Sequence, residues 1–331
     1  MKDIFNKLIN HDRLTKNEAY DVIINIAEGK LNDSQIASFL TIFMMRRVNL
    51  EEIEGFKNAL LDLCISVDLS EFNTIDLCGT GGDGKNTFNI STLSSFVTAG
   101  ADIKVSKHGN YGVSSGCGSS NVLEKLGIHF SNDESFLKNC LDKAGICILH
   151  APLFHPAMKN VGPVRKQLGL KTFFNMLGPL VNPSFPRNQL TGVFNLELAR
   201  IYNYLFQKSN KNYTILYSLD GYDEISLTSD TKALTHNNEM ILNSDSFRVP
   251  KINHEQIQGG EDIISSAKIF MNVIQNKGTE AQQNVVCANA GIAISTALDI
   301  DPMDGFLMAR ESILSGKALE SLKILQNLSS K

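Results

Sequence analysis

The chain has 331 residues, about twice the length of a typical domain, so its length predicts either two domains or one large α/β unit. Hydrophobic residues make up 43% and charged residues 20%, a balance that excludes disorder as the main state. The formal net charge of -4 argues against broad nucleic-acid binding, which usually comes with an excess of basic residues.

The sequence predicts a cytoplasmic protein that does not enter a membrane. No stretch approaches the roughly 18 consecutive apolar residues of a membrane span, and the N-terminus lacks the apolar run of a secretory signal. None of the six cysteines belongs to a C-x-x-C pair, so neither a zinc ribbon nor a thioredoxin-type motif is supported. Scattered thiols are typical of a reduced compartment, where they fill apolar space.

Residues 1–70 predict helices only. Thr15 with Glu18 and Asn49 with Glu52 have the spacing of capping boxes, and apolar residues recur at helical intervals after each of them. Several short amphipathic helices in series indicate a small bundle.

From residue 71 the pattern changes to strands alternating with helices, which is typical of an α/β domain with a mainly parallel sheet. Strands are predicted at 74–78, 103–106, 146–149, 213–218 and 231–236, and helices at 90–99, 195–208, 260–275, 279–297 and 302–314.

One helical segment bounded by prolines interrupts this alternation, and we interpret it as a crossing back to the bundle. The predicted helical domain is therefore 1–70 with a returning segment at 160–182, and the predicted α/β domain comprises 71–159 and 183–331. We expect a cleft between the two domains.

The sharpest motif is the glycine-rich run at 76–84, DLCGTGGDG, between a predicted strand and a predicted helix. Glycines let a ligand approach the main chain, and free N–H groups there and at the start of the next helix form an anion site. Asn89, Ser91 and Thr92 begin that helix, where they cap it or present polar groups to a phosphate or a metal ion. The alternative interpretation is a tight turn with an ordinary helix cap.

Polar residues also follow the next predicted strand, at 107–110, KHGN. Ligands of open α/β sheets bind beyond the carboxyl ends of strands, so Lys107 places a cation beside the glycine run. The serine-rich run at 114–120 offers a second possible phosphate site. Alternatively, Lys107 is a solvated strand end and His108 is a core histidine.

Two further charged features stand apart from these loops. Asp223 and Glu224 are adjacent on a predicted loop, and phosphate-bound Mg²⁺ usually needs only one or two protein carboxylates. In isolation such a pair is an ordinary surface loop. Arg165, on the crossing segment, suits bidentate binding of a carboxylate, although spacing alone does not separate it from a surface arginine.

Seven motifs occur in order along the chain: 79–83 (GTGGD), 89–92 (NIST), 107–110 (KHGN), 155–158 (HPAM), 162–166 (GPVRK), 174–183 (FNMLGPLVNP) and 223–226 (DEIS). Together they resemble the anthranilate phosphoribosyltransferase family of tryptophan biosynthesis. The resemblance covers nearly the whole chain, and several ordered motifs are far more specific than one glycine loop.

The resemblance implies transfer of the phosphoribosyl group of 5-phosphoribosyl 1-diphosphate to the amine of anthranilate, in a homodimer formed through the helical domains. It implies that the sugar diphosphate contacts Gly79, Gly82, Asp83, Thr87, Asn89, Ser91, Thr92, Lys107 and Ser119. It also implies Mg²⁺ at Ser91, Asp223 and Glu224, and anthranilate at Gly79, Asn110 and Arg165, with His108, His155 and Gly178 lining its path.

The sequence departs from the family pattern at three positions. Tyr111 stands where arginine is common, Gly116 where lysine is common and Cys117 where serine is common, so two cations fewer lie near the diphosphate. A pyrimidine nucleoside phosphorylase shares the expected fold, but its lysine motif continues as KHS. A non-catalytic relative that binds nucleic acid is disfavoured by the net charge of -4.

Overall fold

The computed structural model describes residues 1–112 and 117–330, and the chain divides into two compact units. The helical unit comprises Met1–Val67 and Ala151–Phe185, and the sheet unit comprises Asp68–His150 and Pro186–Lys331.

The helices are α1 (Lys2–Ile9), α2 (Lys16–Ala27), α3 (Asp33–Met45), α4 (Leu50–Asp62), α5 (Ile90–Gly100), α6 (Ser119–Lys125), α7 (Glu134–Ala144), α8 (Ala151–Phe154), α9 (Gly162–Leu168), α10 (Leu196–Gln207), α11 (Ile263–Ile274), α12 (Glu280–Leu298), α13 (Pro302–Leu314) and α14 (Lys317–Ser329). The strands are β1 (Ile75–Leu77), β2 (Val105–Gly109), β3 (Ile146–His150), β4 (Asn188–Gly192), β5 (Asn212–Ser218), β6 (Thr231–Thr235) and β7 (Glu239–Leu242).

The N-terminal helices begin where the sequence predicts. The capping boxes at Thr15 and Asn49 are confirmed, because each side chain accepts a hydrogen bond from the N–H three residues later and the glutamate there accepts one in return. Asn32 with Gln35 forms a third box at the start of α3. These reciprocal bonds satisfy donors that a helix leaves unpaired at its first turn.

The returning segment of the helical unit is longer than the predicted 160–182. Ile65 N donates to Phe154 O at 2.8 Å and Val67 N donates to Pro183 O at 3.1 Å. These backbone bonds tie both ends of the segment to the end of the N-terminal helices, which explains why it runs from Ala151 to Phe185.

Aromatic packing fixes the returning segment within the helical unit. Phe173 lies in the 3₁₀ helix Phe173–Met176 and stacks on Phe56 with 4.4 Å between ring centroids. It also meets Phe39 and Phe43 edge-on, at 5.9 Å and 5.2 Å. A second 3₁₀ helix, Gly178–Leu180, follows directly.

The sheet has the order β3-β2-β1-β4-β5-β6-β7. The five strands from β3 to β5 are parallel, and β6 and β7 continue the sheet antiparallel. The predicted class, a helical N-terminal region with a larger, mainly parallel α/β region, is confirmed. Within residues 1–112 and 117–330, no helix is both long and apolar enough to cross a membrane.

One strand prediction needs correction, and two strands of the structure, β4 and β7, have no predicted counterpart. β2 runs over Val105–Gly109 rather than 103–106, because it pairs with β3 from Val105 to Gly109. Lys107 and His108 therefore belong to the strand instead of following it. β4 pairs with β1 at the centre of the sheet, and β7 pairs with β6 at its edge.

Candidate active site

The glycine-rich run lies at the carboxyl end of β1 and leads to α5. Gly81, Gly82 and Gly84 have φ of +61°, +79° and +75°, a region that residues with a Cβ rarely adopt. The predicted strand, loop and helix are confirmed around this run. Its main chain can therefore follow a path that side chains would block, and consecutive N–H groups on such a path are able to bind an anion.

The acidic pair is joined to the glycine run by hydrogen bonds. Gly81 N donates to Asp223 Oδ2 at 2.7 Å, and Ser91 N donates to Glu224 Oε1 at 2.9 Å. A Cβ on Gly79 would lie 2.6 Å from Asp223 Oδ2, so only glycine leaves room for this carboxylate. Glu224 accepts its bond in the first turn of α5, where the helix dipole favours negative charge.

A third carboxyl group, that of Asp83, lies beside the pair. Burial first, and then the charge of Asp83, raises the pKa of Asp223 to about 7. Burial, followed by the charge of Asp223, raises the pKa of Glu224 well above its usual range. Such crowding of carboxyl groups is unfavourable unless a proton or a cation lies among them.

The donor set suits a hard divalent cation. Asp223 and Glu224 offer carboxylate oxygens, and Mg²⁺ in phosphate sites is held by one or two carboxylates together with waters and phosphate oxygens. In the described part of the chain, no group of three or more His, Cys, Asp or Glu side chains forms a full metal cage. The residues therefore fit a metal that is shared with a phosphate ligand, as Mg²⁺ usually is.

Lys107 is buried behind the glycine run. Its Nζ donates to Leu77 O, at the end of β1, over 2.7 Å. Burial lowers the pKa of Lys107, while the negative charges of its neighbours, Glu224 among them, raise it. His108 is also buried, and its N–H donates to Asp76 Oδ1 at 3.1 Å. Neither residue is a solvated strand end.

The polar residues at the start of α5 and α6 have varied partners. Asn89 Nδ2 donates to Cys117 O at 3.2 Å instead of capping α5, and Thr92 is 1% exposed. Thr87 forms a bridge with Gln258, and Ser119 Oγ donates to Asn110 O. Of the predicted phosphate run at 114–120, residues 114–116 lie outside the described residues, and Gly116 is one of them.

Two anchors of the site were not predicted from the sequence. Asn289, buried in α12, accepts from Ile225 N at 3.0 Å and donates to Ile225 O at 2.9 Å. Gly192 ends β4, where any Cβ would collide with the carbonyl oxygen of Asp223. The signal for Asn289 was present, because an amide in an otherwise small and apolar helix needs buried partners.

The helical unit carries the other predicted residues. Arg165 lies on α9, and its Nη2 donates to Asn175 Oδ1 at 3.2 Å. Its guanidinium lies 5.4 Å from the centre of the Phe174 ring, and burial lowers its pKa to about 10. Within the described residues Arg165 forms no ion pair, so its charge is available to an anionic ligand. His155 is buried, and Gly178 opens a 3₁₀ helix.

Comparison with known proteins identifies the family. The helical-bundle domain model of the glycosyl transferase family matches residues 2–64, and its α/β domain model matches residues 71–319. An anthranilate phosphoribosyltransferase of Flavobacterium psychrophilum is 65% identical over 329 residues, which are 99% of this chain and 100% of that protein.

Solved structures agree with this assignment. A Saccharomyces cerevisiae anthranilate phosphoribosyltransferase in complex with PRPP and Mg superposes with a TM-score of 0.89 at 27% identity, covering 98% of this chain and 96% of that one. The same enzyme in complex with 4-fluoroanthranilate gives 0.86 at 26% identity, with the same coverage. The chain belongs to the glycosyl transferase family and, within it, to the anthranilate phosphoribosyltransferases.

Proposed function

We propose that this chain transfers the 5-phosphoribosyl group from 5-phosphoribosyl 1-diphosphate to the amine of anthranilate, releasing diphosphate, in L-tryptophan biosynthesis. The observation that carries the proposal is the junction of Asp223 and Glu224 with the glycine run, through Gly81 N and Ser91 N. This junction brings anion-binding N–H groups and cation-binding carboxylates to one place, as a metal-bound diphosphate requires.

The sugar diphosphate would contact the glycine run and the residues around it. The proposed contacts are Gly79, Gly82, Asp83, Thr87, Asn89, Ser91, Thr92, Lys107 and Ser119. Lys107 donates one N–H to Leu77 O, and an ammonium has two more to offer to a phosphate oxygen. Thr92 has the weakest support in this set because it is almost completely buried.

Asp223, Glu224 and Ser91 would hold Mg²⁺. The Saccharomyces cerevisiae relative in complex with PRPP and Mg supports a metal in the family. When bound, Mg²⁺ supplies positive charge against the departing diphosphate. The chain's own contribution is to hold both carboxylates in place through backbone N–H groups, so little reorganisation is needed.

From the family resemblance, Arg165, Asn110 and Gly79 would bind anthranilate, and His108, His155 and Gly178 would line its path. A buried guanidinium without an acidic partner in the described residues suits the carboxylate of this substrate. An aromatic amine is neutral near pH 7, so it needs no strong base before it attacks C1 of the ribose with inversion. Binding supplies the remaining advantage by holding amine and C1 together.

The reaction needs no covalent intermediate on the protein. Cys78 adjoins the glycine run, but burial raises the pKa of its thiol far above neutrality. A protonated thiol is a poor nucleophile. Direct displacement by the amine is therefore the mechanism that the residues support.

We also propose that the chain forms a homodimer and works in the cytoplasm. The cytoplasmic assignment is supported by the six cysteines, all of which are free thiols. The dimer follows from the family resemblance, and its test is the mass of the protein in solution.

The decisive experiment is a fluorescence assay of anthranilate consumption. Consumption should require both 5-phosphoribosyl 1-diphosphate and Mg²⁺, and omission of either should abolish it. Release of a free base from a nucleoside by inorganic phosphate would instead indicate a nucleoside phosphorylase, and would contradict the proposal.

A further inference from the structure

Asn110 forms several hydrogen bonds that the proposed function does not explain. Asn110 O accepts hydrogen bonds from Ser119 Oγ and from Ser120 N, each at 3.2 Å. Its side-chain Oδ1 accepts a bond from Tyr111 N at 2.8 Å. With its oxygen engaged by a backbone N–H, the amide keeps its nitrogen, the donor end of the side chain, for a ligand.

Tyr111 is held at two points although its side chain is 40% exposed. Its hydroxyl donates to Glu124 Oε1 on α6 at 2.7 Å. Its ring meets the imidazole of His150 edge-on, with 4.8 Å between centroids and 80° between planes. Together these contacts restrict the side chain to one orientation, which fixes the adjacent main chain as well.

His150 links Tyr111 to Ser120, whose N–H bonds to Asn110 O. Phe130 stacks on the imidazole with 4.4 Å between centroids, and Ser120 Oγ lies 2.8 Å from His150 Nδ1. Burial lowers the pKa of His150, which favours the neutral ring that stacks on Phe130 and bonds to Ser120. Ser120 then donates its N–H to Asn110 O.

Asn121 anchors the neighbouring main chain in a similar way. Gly112 N and Gly118 N both donate to Asn121 Oδ1, each at 3.0 Å. The main chain next to Tyr111 is therefore fixed to α6 by side-chain groups of Asn121 and Glu124. Such a framework defines where the Asn110 amide points.

We propose that Tyr111 is a positioning residue that acts through Asn110: anchored by Glu124 and His150, it binds Asn110 Oδ1 through its N–H and so presents Asn110 Nδ2 as a fixed donor to anthranilate. This inference rests on the proposed function, since it takes anthranilate as the ligand of Asn110. It assigns Tyr111 no contact with either substrate.

Tyr111→Phe tests the proposal because it removes the hydroxyl and keeps the ring. The KM for anthranilate should rise about fivefold, the effect of losing one typical hydrogen bond, because the bond to Glu124 acts on the ligand only through Asn110. Both kcat and the KM for 5-phosphoribosyl 1-diphosphate should change less than about twofold, because a loss confined to uniform substrate binding leaves kcat intact. Tyr204→Phe, at a tyrosine of α10 that is 47% exposed, is the matched control and should change neither KM.

Glu124→Ala, alone and combined with Tyr111→Phe, tests whether the two residues act as one unit. The double variant should raise the KM for anthranilate no further than the stronger single variant does. Additive effects would overturn the proposed coupling between Tyr111 and Glu124.

Three other outcomes overturn the proposal as well. A larger rise in the KM for 5-phosphoribosyl 1-diphosphate would mean that Tyr111 contacts the diphosphate directly. A lower melting temperature with both KM values unchanged would mean a structural role only, and no change at all would mean no role. If the unaltered chain failed to consume anthranilate, both the proposed function and this inference would be wrong. If the chain were active and Tyr111→Phe had no effect, only this inference would be wrong.

Discussion

The sheet unit and the helical unit each contribute charged residues to the candidate site, and these residues are held in different ways. In the sheet unit, Asp223 and Glu224 accept hydrogen bonds from backbone N–H groups of Gly81 and Ser91. In the helical unit, Arg165 bonds to a single side-chain amide and lies over one aromatic ring.

Because Asp223 and Glu224 are bound by backbone N–H groups and Arg165 is not, the acidic pair contributes loop order as well as charge. A carboxylate that accepts backbone N–H bonds also fixes the loop that supplies them, so its removal takes away charge and order together. Asn289 strengthens this effect because it holds the residue after the pair on both its N–H and its carbonyl. Arg165 fixes little besides Asn175, and its removal should act mainly on the ligand. We therefore expect a larger loss from removing the acidic pair of the sheet unit than from removing Arg165.

The largest effect should follow from Asp223→Asn combined with Glu224→Gln. Both changes keep the shape of the side chains and remove the negative charge that would hold Mg²⁺. We expect kcat/KM to fall by about 10²- to 10³-fold, as when one strong electrostatic contact to a developing charge is removed. Anthranilate fluorescence followed at rising Mg²⁺ concentration is the measurement.

The matched control for this pair is Glu261→Gln with Asp262→Asn. Asp262 caps α11 in the same unit and asparagine caps helices equally well, so this variant should keep its stability and its Mg²⁺ requirement. Full activity of the first variant at limiting Mg²⁺ would show that Asp223 and Glu224 do not hold the metal.

Arg165→Ala should have the next largest effect, and a more selective one. The KM for anthranilate should rise by about 10- to 100-fold, the range for losing a hydrogen-bonded charge pair. The KM for 5-phosphoribosyl 1-diphosphate should change little. Steady-state kinetics with each substrate varied in turn separates the two, and Arg200→Ala, at an exposed arginine of α10, should alter neither. An equal loss for both substrates would remove Arg165 from the anthranilate site.

Most of the fold could be predicted from the sequence because most elements follow hydrophobic periodicity, but β4 does not. Asn188, Gln189 and Thr191 of that strand are buried at the centre of the sheet. Asn188 Nδ2 donates to Thr74 O, and Gln189 Nε2 donates to Asp76 Oδ2, each at 3.3 Å. Polar side chains satisfied by partners distant in sequence carry no periodic signal, so pattern reasoning missed the strand.

In the candidate site too, some features could be predicted from the sequence and others could not. The glycine run, the acidic pair and Arg165 were found from residue types and spacing. The bond from Gly81 N to Asp223 Oδ2 joins residues 142 positions apart, and no local pattern predicts such a contact. Asp83 raises the pKa of both Asp223 and Glu224, and it comes near this pair only because β1, β4 and β5 lie side by side in the sheet.

A smaller loss than either of these should follow from a change at that long-range junction itself, the bond from Gly81 N to Asp223 Oδ2. A Cβ on Gly79 would lie 2.6 Å from Asp223 Oδ2, closer than real Cβ contacts allow, so Gly79→Ala should push the carboxylate away from Gly81 N. We expect about a tenfold fall in kcat/KM, partly recovered at high Mg²⁺, because the charge remains while its position is lost.

Gly127→Ala provides the control. The φ of +82° at Gly127 makes alanine strained there, yet no atom lies within 4 Å of the added Cβ. That variant should lose about 1 kcal/mol of stability in a denaturant titration and keep its Mg²⁺ requirement. If Gly79→Ala lost only stability, as Gly127→Ala should, then Gly79 would be needed for the backbone conformation of the loop. The prediction that Gly79 leaves room for the Asp223 carboxylate would then be wrong.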